Sequence, residues 1–343
     1  MTVLYVKEPG AVIRRDVERI KVTRRPPGKR VDELLHSIAV RDLEQVVLYG
    51  NVQLTTQAAA LLLENEIDVV YLSHYGKFRG RLGQDGSKFA RLRHAQLRLV
   101  GDERRALALA MAIVAAKLAN QRGVVLRLGQ AAGGEMQRAL QQAAAGIEQM
   151  RSASRQARTL DALRGFEGKG GVYYFGALKA LLPPRWGFRG RQYHPAPDPF
   201  NALLSFGYAL LQKDMSATIH LVGLDPFLGC FHALEYGRPS LTLDLMEEFR
   251  PLAVDEVVLG LALTGRLNPE DFTYTEREER PVELGEGKMP LVIEAYEARL
   301  AQTVLHTDSH TQQSLRRCME LQARIYARVV LETRQSYQGL VVG

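Results

Sequence analysis

Residues 83–121 read GQDGSKFARLRHAQLRLVGDERRALALAMAIVAAKLANQ, and the change of pattern inside them decides the fold. Gly83, Gln84, Asp85, Gly86 and Ser87 form a polar, glycine-rich break of the kind that separates folding units. From Phe89 to Gln121 the apolar positions recur at helical spacing. Between Ala106 and Leu118 they surround the helix almost completely, which predicts a buried central helix. The apolar run from Ala106 ends at Lys117, short of the roughly 20 residues a membrane span needs.

Ahead of the break the chain reads as β. Thr2–Val6 (TVLYV), 17–23 (VERIKVT), 45–50 (QVVLYG) and 67–73 (IDVVYLS) are short, β-branched or aromatic, and bounded by polar or Gly/Pro segments. A helix is predicted over 56–65, capped by Thr55 or Thr56. Residues 74–82 (HYGKFRGRL) read as an edge ribbon turning at Gly76 and Gly80. Behind the break, helices are predicted over 135–158, 160–164 and 171–182, with GFEGKGG at 165–171 as a turn. Five prolines make 182–200 a long loop. Further helices are expected at 201–212, 227–235, 241–249 with Ser240 as cap, 254–265 and 290–338. The expected class is α+β, with a small β-rich domain at 1–83 and a larger all-helical domain at 84–343.

Composition narrows the function. At 343 residues, 46% hydrophobic and 24% charged, the chain is that of a folded protein. Two cysteines, Cys230 and Cys318, exclude a disulfide scaffold and a Cys-rich zinc module. MTVLYVKEPG lacks a basic start followed by an apolar stretch, so a cytoplasmic protein is expected. The net charge of +7 is unevenly spread. Residues 151–200 hold nine Lys/Arg against three acids, and 74–105 repeat that ratio. Such clusters are the footprint of a polyanionic partner, or two solvated helix faces. GxxxxGK[ST], HExxH and GxSxG are all absent.

Chemistry concentrates in residues 223–251, GLDPFLGCFHALEYGRPSLTLDLMEEFRP. His232 falls in a predicted apolar helix. Asp244 and Glu247, three apart, share a face of the next one. A carboxylate on an apolar face must be paired, hydrogen-bonded or metal-bound to stay ionised. Glu167 stands in the glycine-rich GFEGKGG. The residues alone admit two readings. In one, the acids pair with Arg238 or Arg250 and His232 is a core histidine. In the other, two carboxylates and an imidazole make a hard site suited to Mn²⁺ or Mg²⁺.

The run at 223–251, together with FEGKGGVYYFGAL upstream and DPFNALLSFGYALL at 198–211, resembles the CRISPR-associated integrase/endonuclease family. Weaker agreement lies in KLANQRGVVLR at 117–127 and VVYLSHYGKFRGRL at 69–82. The resemblance covers nearly the whole chain and implies a small β-rich domain before a helical bundle. It implies a metal-dependent enzyme that inserts short DNA fragments as new spacers into a CRISPR array and also cleaves DNA. Glu167, His232 and Glu247 become the expected Mg²⁺ or Mn²⁺ ligands, with Asp244 supporting them or ligating in their place. Arg164, Lys169, Arg189, Arg191 and Arg250 are the expected phosphate contacts. Double-stranded and branched DNA, a homodimer joined through residues 1–83, and a small companion protein bridging two dimers are the expected partners. No membrane partner is expected. The rival expectation is a non-enzymatic helical DNA-binding or scaffold protein.

Overall fold

A computed structural model describes residues 2–26, 28, 31–74, 78–83, 89–192 and 195–342. The chain divides into two compact units, 1–88 and 89–343.

In chain order the first unit holds β1 (Thr2–Val6), β2 (Val12–Asp16), β3 (Arg19–Arg24), β4 (Glu33–Ala39), β5 (Leu43–Tyr49), β6 (Gln53–Leu54), α1 (Thr56–Glu64), β7 (Asp68–Leu72) and β8 (Phe78–Leu82). They form two four-stranded sheets, ordered β1-β5-β7-β8 and β4-β3-β2-β6. In the first, β1, β5 and β7 run parallel and β8 is antiparallel at the edge. Val6, Ile13, Ile20, Val22, Val46, Leu61, Leu62 and Val69 are buried together as one core. Thr55 caps α1 by accepting from the Ala58 amide, as predicted.

Two expectations here need correction. The strand expected at 17–23 is a hairpin whose two-residue turn is Val17–Glu18, since Asp16 pairs with Arg19. Val17 takes φ 54°, a conformation a β-branched residue rarely adopts, so nothing in its identity signals a turn. Gly80 lies inside β8 rather than at a turn. Gly76 and residues 84–87 of the break lie outside the described residues.

The second unit is mostly helical, with α2 (Ala90–Val100), α3 (Glu103–Ala131), α4 (Gly134–Ser154), α5 (Leu160–Leu181), α6 (Pro199–Val222) and α7 (Ser240–Met246). A π-helical segment, Arg250–Asp255, leads into α8 (Glu256–Leu263). The hairpin β9 (Phe272–Tyr274) and β10 (Val282–Leu284), then α9 (Met289–Ala301), β11 (Thr303–His306), β12 (Thr311–Ser314) and α10 (Leu315–Val330) complete it. The helix expected over 89–121 is two helices, because Gly101 and Asp102 intervene and Asp102 caps α3 through the Arg105 amide. The helical stretch expected over 290–338 is interrupted by the β11–β12 hairpin. Helix α3 is long and apolar enough to cross a membrane, yet 61% of that stretch is buried within the unit. It packs on α4, α5, α7 and the π-helical segment, which makes it the axis of the bundle.

Candidate active site

Helix α5 brings Glu167 to the site. The predicted glycine turn at 165–171 does not exist; these residues are the middle of α5. A Cβ on Gly170 would lie 2.3 Å from Cδ2 of Leu118, so glycine here lets α5 lie directly on α3. That contact sets Glu167 against Lys117, the neighbour of Leu118.

Lys117 is the residue that sequence reasoning missed. Its ammonium is buried and grips two carboxylates: Oε1 of Glu167, and Oε2 of Glu247 at 2.5 Å. The available signal was a lysine ending an apolar helical run, which reads equally well as a solvated break.

His232 comes from a loop. The helix expected at 227–235 is absent, and 223–239 is irregular. The reason lies in Asp244, which is fully buried in α7. Its Oδ2 accepts from the amides of Cys230 at 2.5 Å and Phe231 at 2.9 Å, and its Oδ1 from the His232 amide at 2.9 Å. Three successive N–H groups turned onto one carboxylate cannot also make a helix ladder. Gly229 is needed for this approach, because a Cβ there would meet Oδ2 of Asp244 at 2.7 Å and the Ser240 backbone at 2.5 Å. Gln96 of α2 holds the start of the loop, donating to the carbonyls of Asp225 and Leu228 and accepting from the Asp225 amide. Arg164 holds its other flank through the Phe231 carbonyl at 2.8 Å.

The predicted shared face of Asp244 and Glu247 meets the two nitrogens of one imidazole. Nδ1 of His232 lies 2.7 Å from Asp244 Oδ1, and Nε2 lies 3.6 Å from Glu247 Oε1. With Nδ1–H donated to Asp244, the Nε2 lone pair faces the carboxylates. Both oxygens of Asp244 are thus engaged by four contacts, and the carboxylate orients His232. Glu247 also meets Nε of Arg250 at 3.3 Å. Burial pushes the Glu247 carboxyl up, but the Lys117 and Arg250 cations prevail and hold it down to about 2. Cys230 is buried, with its thiol pushed up to about 12 and its Sγ 3.3 Å from the Tyr326 hydroxyl, which excludes it as a nucleophile at neutral pH.

Glu248, the next residue, faces the other way. It accepts from Tyr337 Oη at 2.6 Å, the Leu340 amide at 2.6 Å and Gln322 Nε2 at 3.2 Å. Asn120, one turn beyond Lys117 in α3, donates to the carbonyls of Glu248 and Leu340.

Among the described residues, no three His, Cys, Asp or Glu side chains stand together as a ready ion-holding group. The lysine ammonium lies between the two glutamates. The donor chemistry nevertheless fits a divalent ion: two carboxylates already converge on one cation, and an oriented imidazole nitrogen stands beside them.

The expected phosphate contacts divide. Lys169 and Arg189 are exposed. Arg164 is half-buried and also pairs with Asp161. Arg191 donates to Asn201 Oδ1, Ser205 Oγ and the Gln192 carbonyl, clamping the proline-rich loop onto α6. Arg250 is largely buried, bound to Glu247 and stacked on Tyr208 at 4.5 Å. Arg191 and Arg250 thus also serve as internal braces. Arg238 pairs with Glu235 instead of the site acids.

These features define a two-unit α+β protein whose helical unit gathers two carboxylates, an imidazole and a buried lysine into one site. The family model for CRISPR associated protein Cas1 matches residues 4–298, and the chain belongs to that family. It is 33% identical to a CRISPR-associated endonuclease Cas1 of Moorella thermoacetica, over 98% of this chain and 97% of that protein. It is 36% identical to a Cas4 exonuclease/Cas1 endonuclease fusion of Rhodospirillum rubrum, over 95% of this chain but only 55% of the fusion's length. A casposase bound to an integration product shares the fold, with a TM-score of 0.80 at 20% identity, over 98% of this chain and 93% of that one.

Proposed function

We propose that this chain is a divalent-metal-dependent DNA endonuclease and integrase that inserts short DNA fragments as new spacers into a CRISPR array. The observation that carries the reading is the convergence of Glu167 from helix α5 and Glu247 from the turn that ends α7 on one buried cation beside His232. Family membership supports the DNA chemistry.

Glu167, Glu247 and Nε2 of His232 would hold Mg²⁺ or Mn²⁺. When bound there, such an ion polarises a phosphoryl oxygen and stabilises the charge that develops during in-line attack. Asp244 fixes the tautomer and ring plane of His232. Lys117 and Arg250 keep Glu247 ionised. The attacking oxygen decides the product: water gives cleavage, and the 3′-hydroxyl of a DNA fragment gives joining. Lys169, Arg189 and the exposed part of Arg164 supply phosphate contacts for double-stranded and branched DNA. A homodimer built on the first unit, and a small companion protein bridging two dimers in the cytoplasm, complete the proposed assembly.

The test is cleavage and strand transfer on branched DNA with Mn²⁺. We expect both activities, and their loss in Glu167→Ala, His232→Ala and Glu247→Ala. A protein that binds DNA but turns over no substrate with any divalent ion would be the non-enzymatic scaffold instead.

A further inference from the structure

We infer that Lys117 is a built-in counter-cation for the metal site: it holds Glu167 and Glu247 together in the metal-free protein and must be displaced when a divalent ion binds. The inference rests on the metal reading proposed above and adds a residue to it.

Three observations lead here. The Lys117 side chain is only 7% exposed, and it projects from the central helix α3 to touch both glutamates. It is not a surface lysine drawn onto an acid. Two carboxylates set side by side here without a cation would be unfavourable, since one of them would have to take up a proton. Lys117 supplies that cation, its ammonium touching both carboxylates. Finally, the ammonium stands between Oε1 of Glu167 and Oε2 of Glu247, one oxygen from each of the two carboxylates a metal would use. A divalent ion entering between the two carboxylates would meet the ammonium already there, and two cations that close repel. The metal therefore competes with Lys117 for the carboxylates.

The consequence is a site shaped before its ligand arrives, at a cost in affinity. A buried charge-assisted contact is worth enough that its removal should change metal affinity by about tenfold or more. Lys117 is thus a positioning residue, and its signature is in binding rather than in turnover.

The experiment is calorimetric titration of Mn²⁺ into the metal-free full-length protein and its Lys117→Met variant, with circular dichroism to verify folding. The expected result is a Kd for Mn²⁺ at least about tenfold lower in the variant. The variant should also melt lower without metal and recover more on adding Mn²⁺. Equal or weaker Mn²⁺ binding by folded Lys117→Met overturns this inference and leaves the metal reading standing. Failure of both proteins to bind Mn²⁺ overturns the two together. Should the variant not fold, the wild-type protein decides: acylation of Lys117, followed by mass spectrometry, should rise several-fold when Mg²⁺ is added. Unchanged labelling in saturating Mg²⁺ overturns the displacement.

Discussion

Nδ1 of His232 lies 2.7 Å from Oδ1 of Asp244, a carboxylate that also gathers the amides of residues 230–232. One buried side chain therefore both shapes the loop and turns the imidazole. Asp244→Asn keeps the shape but removes the charge and frees the tautomer. Mn²⁺ affinity should fall about 10–100-fold. Calorimetric titration checks this, and an unchanged Kd would release Asp244 from its orienting role.

The two glutamates should separate in stability. Glu247 is nearly buried and balances both Lys117 and Arg250, whereas Glu167 is about one-fifth exposed. Breaking the buried pair with Glu247→Gln should cost about 3–5 kcal/mol. Glu167→Gln should cost clearly less, with loss of cleavage and joining in both. Thermal melts beside a strand-transfer assay test the contrast; equal destabilisation would contradict it.

Acidity should act through Glu248. Burial pushes its carboxyl from 4.5 up to about 7 despite bonds from Tyr337, Gln322 and Leu340. The folded protein therefore keeps a proton that the unfolded chain has released. The associated stability is full below pH 4.5 and lost as the pH rises through about 7. Glu247 acts oppositely, but only as the pH falls toward about 2. Between about pH 5 and 8, the Tm of Glu248→Gln should fall less steeply with pH than that of the wild type. Parallel Tm curves would refute the assignment.

Glycines of α5 should respond in opposite senses. Gly170→Ala drives a methyl into Leu118 and should destabilise by about 1–3 kcal/mol while reducing activity. Gly171 has nothing within 4 Å of its would-be Cβ, so Gly171→Ala should stabilise by up to about 1 kcal/mol. Two melting curves decide it.

DNA affinity should fall steeply between about 50 and 200 mM salt. Replacing Lys169 or Arg189 by Gln should lower the logarithmic salt slope by about one each. Arg191→Gln should instead lower the melting temperature, since its guanidinium clamps the loop onto α6. A salt-independent binding curve would contradict the electrostatic reading.

The order of β-rich and helical parts was legible because periodicity is local. The acids of α7 were legible because charge on an apolar face demands a partner. Context was harder. The glycines around Glu167 resemble a turn, yet Gly170 serves the contact with Leu118, a residue distant in sequence. His232 lies in a helical-looking stretch, but its backbone is claimed by Asp244, twelve residues on. Arg191 and Arg250 looked like surface charge because their partners, Asn201, Ser205 and Tyr208, are brought near only by folding. Lys117 was hidden for the same reason: its two carboxylates come from α5 and from the turn after α7.

The closeness of α5 to α3 has a last implication. Where most residues would interpose a carbon, Gly170 interposes only hydrogen, so α5 and α3, from which Glu167 and Lys117 reach out, lie directly against each other. A bulkier residue there would push α5 off α3 and carry Glu167 away from its counter-charge.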